Sequence, residues 1–509
     1  MKNTIKYIYC TTILSLSLVS CSLDFDQPVE DTPDAAQESG NANFSTFVAL
    51  GDSLTAGFAD GALYADGQNN SFVNMIATQM QAAGGVTFTT PLMADNFGGF
   101  AEDPINFSPR LILDAVAGAP VTINATPTTS LFDIQSGPFN NIGIPGAKSF
   151  HLLGDIGDAY GNPAGLQTSP PTANPYYVRM ASSPTTSPLV GALAQQPTFF
   201  SLWIGANDVL GYATSGGDSS DGDFITDEGT FTTLYNTMVS ALAGPVEAGG
   251  AGAKGLLTNI PSVTVLPFFT TVPHNPLPID AETAAGLNSI AAYGAYNEGL
   301  LQAQAAINAG LVPNVPAGFL TDSEIAKRSI NFEASESNAV VIFDESLTDL
   351  TALNPALINI RQATSADLIL LTASSFIGTQ EIEGDSSTTN GVAIPLADKW
   401  VLTPEEQAEI KTATDAYNDI IQTAAETFDL ALYDAASRLV DLSEDGISVN
   451  GSLVTNEFAL GGFFSLDGIH LSPKGNGITA NEMIESINNK YGSTLQPVQT
   501  RDLPGVYIR

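Results

Sequence analysis

Short runs of apolar, β-prone residues recur along the chain, separated by stretches whose apolar positions repeat at helical spacing. The runs are 47–50, 141–144, 199–204, 255–258 and 430–433, and each leads into a Gly, Pro, Asn or Asp. Runs this short and this apolar predict strands covered on both faces, and helices between them predict a parallel sheet, hence an α/β fold. The clearest helix spans 403–428. Thr403 and Glu406 have capping-box spacing around Pro404, and Ile410, Tyr417, Ile420, Ile421, Ala424 and Phe428 form one apolar stripe. Further helices are expected over 71–80, over the Ala-rich 282–309, and from Pro473 to about Tyr491. Segments 85–138 and 270–400 interrupt this alternation as two insertions. The first carries β-like pieces at 110–113 and 120–124, the second at 340–343 and 367–371. They are expected either to cap or flank a functional site or to be inert decoration.

The amino terminus has a different pattern. Lys2 and Lys6 precede a mostly apolar stretch, 8–20, that is too short to span a bilayer. Leu18-Val19-Ser20-Cys21 resembles the lipobox of bacterial lipoproteins, which implies a signal peptide over 1–20 and a lipid anchor on Cys21. Residues 22–43 hold six acids and no Lys or Arg, a composition that cannot build a core and reads as a tether over 21–43. Asp24 and Asp26 loosely resemble the surface-export signal of Bacteroidetes lipoproteins, so the expected location is the cell envelope, at the outer membrane.

Charge and cysteine content narrow the chemistry. With 54 acidic against 16 basic residues the net charge is -38, which repels phosphate backbones and makes nucleic acid a poor partner. Both cysteines, Cys10 and Cys21, lie within the first 21 residues, so the remainder forms no disulfide or cysteine-ligated metal site. Three histidines, His151, His274 and His470, argue against a zinc cluster. No metal and no organic cofactor is expected.

Four short motifs carry the candidate chemistry. Gly51-Asp52-Ser53-Leu54 directly follows the first strand, placing Ser53 at a strand end, where open α/β sheets bind ligands. The sequence lacks Gly-x-Ser-x-Gly here, so this is not the nucleophile elbow of α/β-hydrolases. Asp467-Gly468-Ile469-His470 lies near the far end. A serine hydroxyl needs an adjacent base near neutrality, which imidazole supplies, and a carboxylate three residues away can hold the ring in one tautomer. Asn141-Ile142-Gly143-Ile144-Pro145-Gly146 and Gly205-Ala206-Asn207-Asp208 follow two further strands. An Asn amide and a Gly backbone N–H are suited to meet the oxyanion of ester cleavage.

In that order the four motifs resemble blocks I, II, III and V of the SGNH (GDSL) hydrolase superfamily, over about 44–491. The resemblance implies a flavodoxin-like three-layer sandwich over 44–492, followed by a tail over 493–509. It also implies Ser53 as nucleophile, Asp467 and His470 as the rest of the triad, and Ser53, Gly146 and Asn207 as the oxyanion hole. The substrate would be a small-molecule, lipid or glycan ester. Acyl transfer, polysaccharide deacetylation, or a catalytically dead fold that binds glycan or protein are the rival readings. Spacing departs from small family members, since 154 residues separate Ser53 from Asn207 and 263 separate Asn207 from His470. Three other features point to ordinary structure: Pro267-Phe268-Phe269 to core, His151 and His274 to plain polar roles, and the acidic residues of 218–228 to a solvated loop rather than a calcium site. Oligomeric state and acyl-chain length are not legible.

Overall fold

The five apolar runs become the strands of one all-parallel sheet. A computed structural model describes residues 36–508, apart from 104, 154–159 and 221. The expected signal peptide, Cys21 and most of the tether lie outside the described residues. The strands are β1 (Phe47–Gly51), β2 (Asn141–Gly143), β3 (Phe199–Trp203), β4 (Lys254–Thr258) and β5 (Ala431–Tyr433). Their spatial order is 2-1-3-4-5, one of the common doubly wound orders, with chain reversal between β1 and β3. Register aligns apolar side chains across the sheet: Leu50 pairs with both Ile142 and Leu202, and Leu257 with Leu202 and Leu432.

The helices used below are α1 (Ser53–Ala56), α2 (Phe72–Ala82), α3 (Asn207–Thr214), α4 (Glu228–Ala243), α5 (Tyr293–Asn308), α6 (Pro404–Thr427), α7 (Ala435–Glu444) and α8 (Pro473–Tyr491). Because side chains alternate along a strand, each strand feeds two cores. Val48, Leu50, Phe200, Leu202 and Leu257 face the apolar stripes of α4 and α6. Phe47, Ala49, Phe199, Trp203 and Leu256 face α2 and α8. The result is helix, sheet and helix in three layers. The α6 stripe is buried at Ile410, Tyr417, Ile421 and Ala424, while Ile420 and Phe428 are half-buried, and Glu406 Oε2 accepts the Thr403 N–H at 2.6 Å.

One expected helix is corrected. The Ala-rich 282–309 is two helices, Ala281–Leu287 and α5. Asn288 sits at the break and spends its side chain on the Phe332 backbone, donating to its carbonyl at 2.7 Å and accepting its N–H at 2.9 Å. A tertiary bond to a polar side chain here outcompetes helix propensity.

The insertions build structure of their own. In 85–138, Leu111–Asp114 pairs antiparallel with Ala119–Thr122. The second insertion has a separate apolar core around Leu300, Ile307, Ile330, Val341 and Leu396, with Val341–Phe343 paired to Ile360–Gln362. It also buries Arg361, whose guanidinium donates to both oxygens of Asp367 at 2.6 and 2.7 Å and to Asp344 at 2.5 Å. The described part of the tail, 493–508, is docked: Leu113 N–H donates to Tyr507 O at 2.9 Å, and the Arg110 guanidinium lies over both the Tyr64 and Tyr507 rings.

Candidate active site

All four motifs end at the carboxyl edge of the sheet, because each follows the strand or loop that delivers it there. β1 stops at Gly51, and Asp52 caps the short α1 by accepting the Leu54 N–H at 3.0 Å. Ser53 is therefore the first residue of α1, 8% exposed. The loop before α8 brings His470 to it. His470 Nε2 lies 2.8 Å from Ser53 Oγ, and Nδ1 lies 2.9 Å from Asp467 Oδ2.

Asp467 is held by more than the imidazole. Its Oδ1 accepts the N–H groups of Ile469 and His470 at 2.9 Å and the Ser465 hydroxyl at 3.0 Å, and its Oδ2 also accepts the Gly61 N–H at 2.9 Å. Burial alone would raise its pKa. The charge and hydrogen bond of His470 and the two backbone N–H groups outweigh burial and hold the carboxyl well below the usual carboxylate range. An ionised Asp467 fixes the proton of His470 on Nδ1, leaving Nε2 to accept from Ser53. Phe58 lies against the imidazole, ring centroids 4.7 Å apart.

Behind Asp467 stands a second group of residues that sequence reasoning missed. Asp60 donates its N–H to Ser465 Oγ at 2.9 Å, and its carboxylate accepts the Leu466 N–H at 3.1 Å and the Tyr64 hydroxyl at 2.8 Å. Arg110, from the first insertion, reaches Asp60 at 3.9 Å. That insertion thus flanks the cluster of Ser53, His470 and Asp467. The only sequence cue was Ser465, two residues before Asp467; Asp60 and Arg110 gave no local signal.

The two proposed oxyanion segments are tied together. Asn207 opens α3, and its Nδ2 donates to Ala147 O at 2.9 Å, one residue past Gly146. That bond uses one amide hydrogen and leaves the other for a ligand. Asp208, fully buried, accepts the Ser149 N–H at 2.8 Å and its hydroxyl at 2.7 Å, fastening the same loop. Gly146 has φ +79°, and a Cβ there would meet nothing within 4 Å, so its backbone borders open space. Gly205 has φ +122°, and a Cβ would lie 2.5 Å from Ile260 and 3.0 Å from Phe231. This packing leaves room only for glycine before Asn207.

Ser53, Asn207 and His470 share a cavity of about 70 Å³, room for a few water-sized groups, whose remaining wall is largely apolar, including Trp203, Leu210, Leu266, Leu439 and Phe464. No described residue of either insertion lines it. Asp52 borders it too; burial pushes its carboxyl up to about 7, and its Oδ2 has no hydrogen-bond donor.

Compared with protein-family models, curated proteins and solved structures, the chain matches none. What can be said of its chemistry rests on its own geometry.

The remaining sequence candidates lie elsewhere. His151 stacks on Tyr160 with centroids 4.4 Å apart and accepts the Lys148 N–H on Nδ1 at 3.0 Å. Burial, then the nearby Lys148 charge, lowers its pKa to about 4. His274 lies in the second insertion, where its carbonyl accepts the Val340 N–H. Phe268 and Phe269 belong to the core beside α4 and α6. In the acidic loop, Asp227 caps α4 and Asp218 accepts the Ser220 N–H, while Asp221 is outside the described residues.

Proposed function

We propose that this chain is a serine hydrolase of the SGNH (GDSL) type that cleaves carboxylic esters. The observation that carries the reading is the chain of short contacts from Ser53 Oγ through His470 to an ionised Asp467. In the proposed reaction Nε2 of His470 takes the Ser53 proton as Oγ attacks the ester carbonyl. The oxyanion accepts from the Ser53 and Gly146 N–H groups and the second Asn207 amide hydrogen. His470 then protonates the leaving alcohol, and water activated by the same ring releases the acid. The small apolar cavity beside Ser53 supports an acyl group lodged there.

The decisive experiment is labelling with a fluorophosphonate. One adduct per chain on Ser53, absent in Ser53→Ala, is the expected result; folded wild-type protein that takes no label would favour a binding protein with a dead site. The lipobox supports a companion proposal, that Cys21 carries a lipid holding the enzyme at the outer membrane. Expressed in a bacterium fed labelled palmitate, the wild type should incorporate label and Cys21→Ser should not. Label in both would sink the anchor.

A further inference from the structure

Away from the triad, three carboxylates from distant parts of the chain converge. Glu345 follows the strand Val341–Phe343, Asp398 precedes Trp400 at the end of the second insertion, and Glu406 lies in the first turn of α6. Each offers one oxygen, and these oxygens all lie within 4.8 Å of one another. Among the described residues no Lys or Arg pairs with any of the three. Of the basic groups of this region, Lys327 is engaged by Asp344 at 3.3 Å and Glu405 at 3.4 Å, and Lys399 lies over the Trp400 ring.

Glu406 makes this more than an acidic patch. It is 4% exposed, and while Oε2 takes the Thr403 N–H, Oε1 is buried beside Gly217 with no donor among the described residues. Asp398 Oδ1 is likewise buried without one. A carboxylate oxygen in that position requires a proton or a cation. The loop after α3 closes over the group with bare backbone. A Cβ on Gly217 would lie 2.1 Å from Glu406 Oε1, and one on Gly216 2.0 Å from the Asp398 carbonyl.

We propose that Glu345, Asp398 and Glu406 form a calcium site. Donors that are all oxygen select a hard cation. Three oxygens within 4.8 Å of one another can all reach one ion at about 2.4 Å, and calcium's larger, more flexible shell accepts ligands from three separate segments where magnesium demands near-ideal octahedral geometry. Water completes the coordination on the exposed Glu345 side. A bound ion would fasten the second insertion to α6 and to the loop closing α3, the helix that starts at Asn207. The ligands are up to 61 residues apart in sequence, so no spacing motif announces them.

The test is isothermal titration calorimetry and thermal melting of the purified chain after EDTA treatment, with calcium chloride as titrant. One saturable site with Kd between about 10⁻⁶ and 10⁻³ M, a calcium-dependent rise in Tm, and weaker response to magnesium are expected. Glu406→Gln and the surface variant Glu345→Gln, which spares the core, should each weaken binding at least about tenfold. Absence of binding at about 10 mM calcium by folded wild type would overturn the proposal. So would an undiminished calcium response in both variants, which would mark diffuse attraction to an acidic surface. A Glu406→Gln variant that melts higher than EDTA-treated wild type, with calcium acting on neither, would show a shared proton instead.

Discussion

Asp467→Asn separates an ionised partner of His470 from a merely polar one. The asparagine can keep its carbonyl oxygen at the Oδ1 position, where Ile469, His470 and Ser465 donate. Its NH₂ then stands where Oδ2 accepts from His470 Nδ1 and Gly61 N–H. Nδ1 must become an acceptor, which moves the ring proton to Nε2. The 2.8 Å contact to Ser53 Oγ then has a donor on the imidazole, and the base is gone. Loss of the correct tautomer costs about 10⁴-fold in kcat, or about 5.5 kcal/mol of transition-state stabilisation. The Gly61 N–H also loses its acceptor, but Gly61 is exposed and water can replace it, so little stability is lost there. The sign of the pH effect follows from the depressed pKa of Asp467: its carboxylate stabilises the fold above the unfolded value of 3.8, and this is lost as pH falls through the folded one. The stability gap between wild type and variant should therefore close in acid. The assay is kcat and KM on p-nitrophenyl esters, with the fluorophosphonate labelling rate as a substrate-independent check and melts at neutral and acid pH. A folded variant with kcat within about tenfold of wild type would refute the tautomer argument.

Two further outcomes test Asn207 in the site and His151 outside it. Asn207→Ala should lower kcat by about 10²- to 10³-fold with KM nearly unchanged, because the lost amide acts on developing charge; a change confined to KM would reassign Asn207 to ground-state binding. His151, with its pKa lowered to about 4, favours the neutral ring in the folded state, so its contribution is present above the unfolded value of about 6.5 and is lost as pH falls toward 4. His151→Gln should flatten the fall in Tm over that window, and an identical pH profile would show that other groups govern it.

Within the sequence alone, whatever depended on neighbours in the chain was already decided. The apolar runs ended where strands end, because burial on both faces demands continuous hydrophobicity and a glycine or asparagine must follow to turn. The start of α6 followed from Thr403, Pro404 and Glu406. Ser53, Gly146, Asn207, Asp467 and His470 could be picked out because each lies in a short motif at a strand end or loop. Tertiary structure decided the rest. Only folding brought His470 to Ser53 across 417 residues, and only folding tied Asn207 to Ala147. The break before α5, the bracing of Asp467 by Asp60, and the meeting of Glu345, Asp398 and Glu406 left no periodic trace. Such contacts depend on the position of side chains in space, and a polar residue buried by a distant segment looks, in sequence, like any polar residue on a surface.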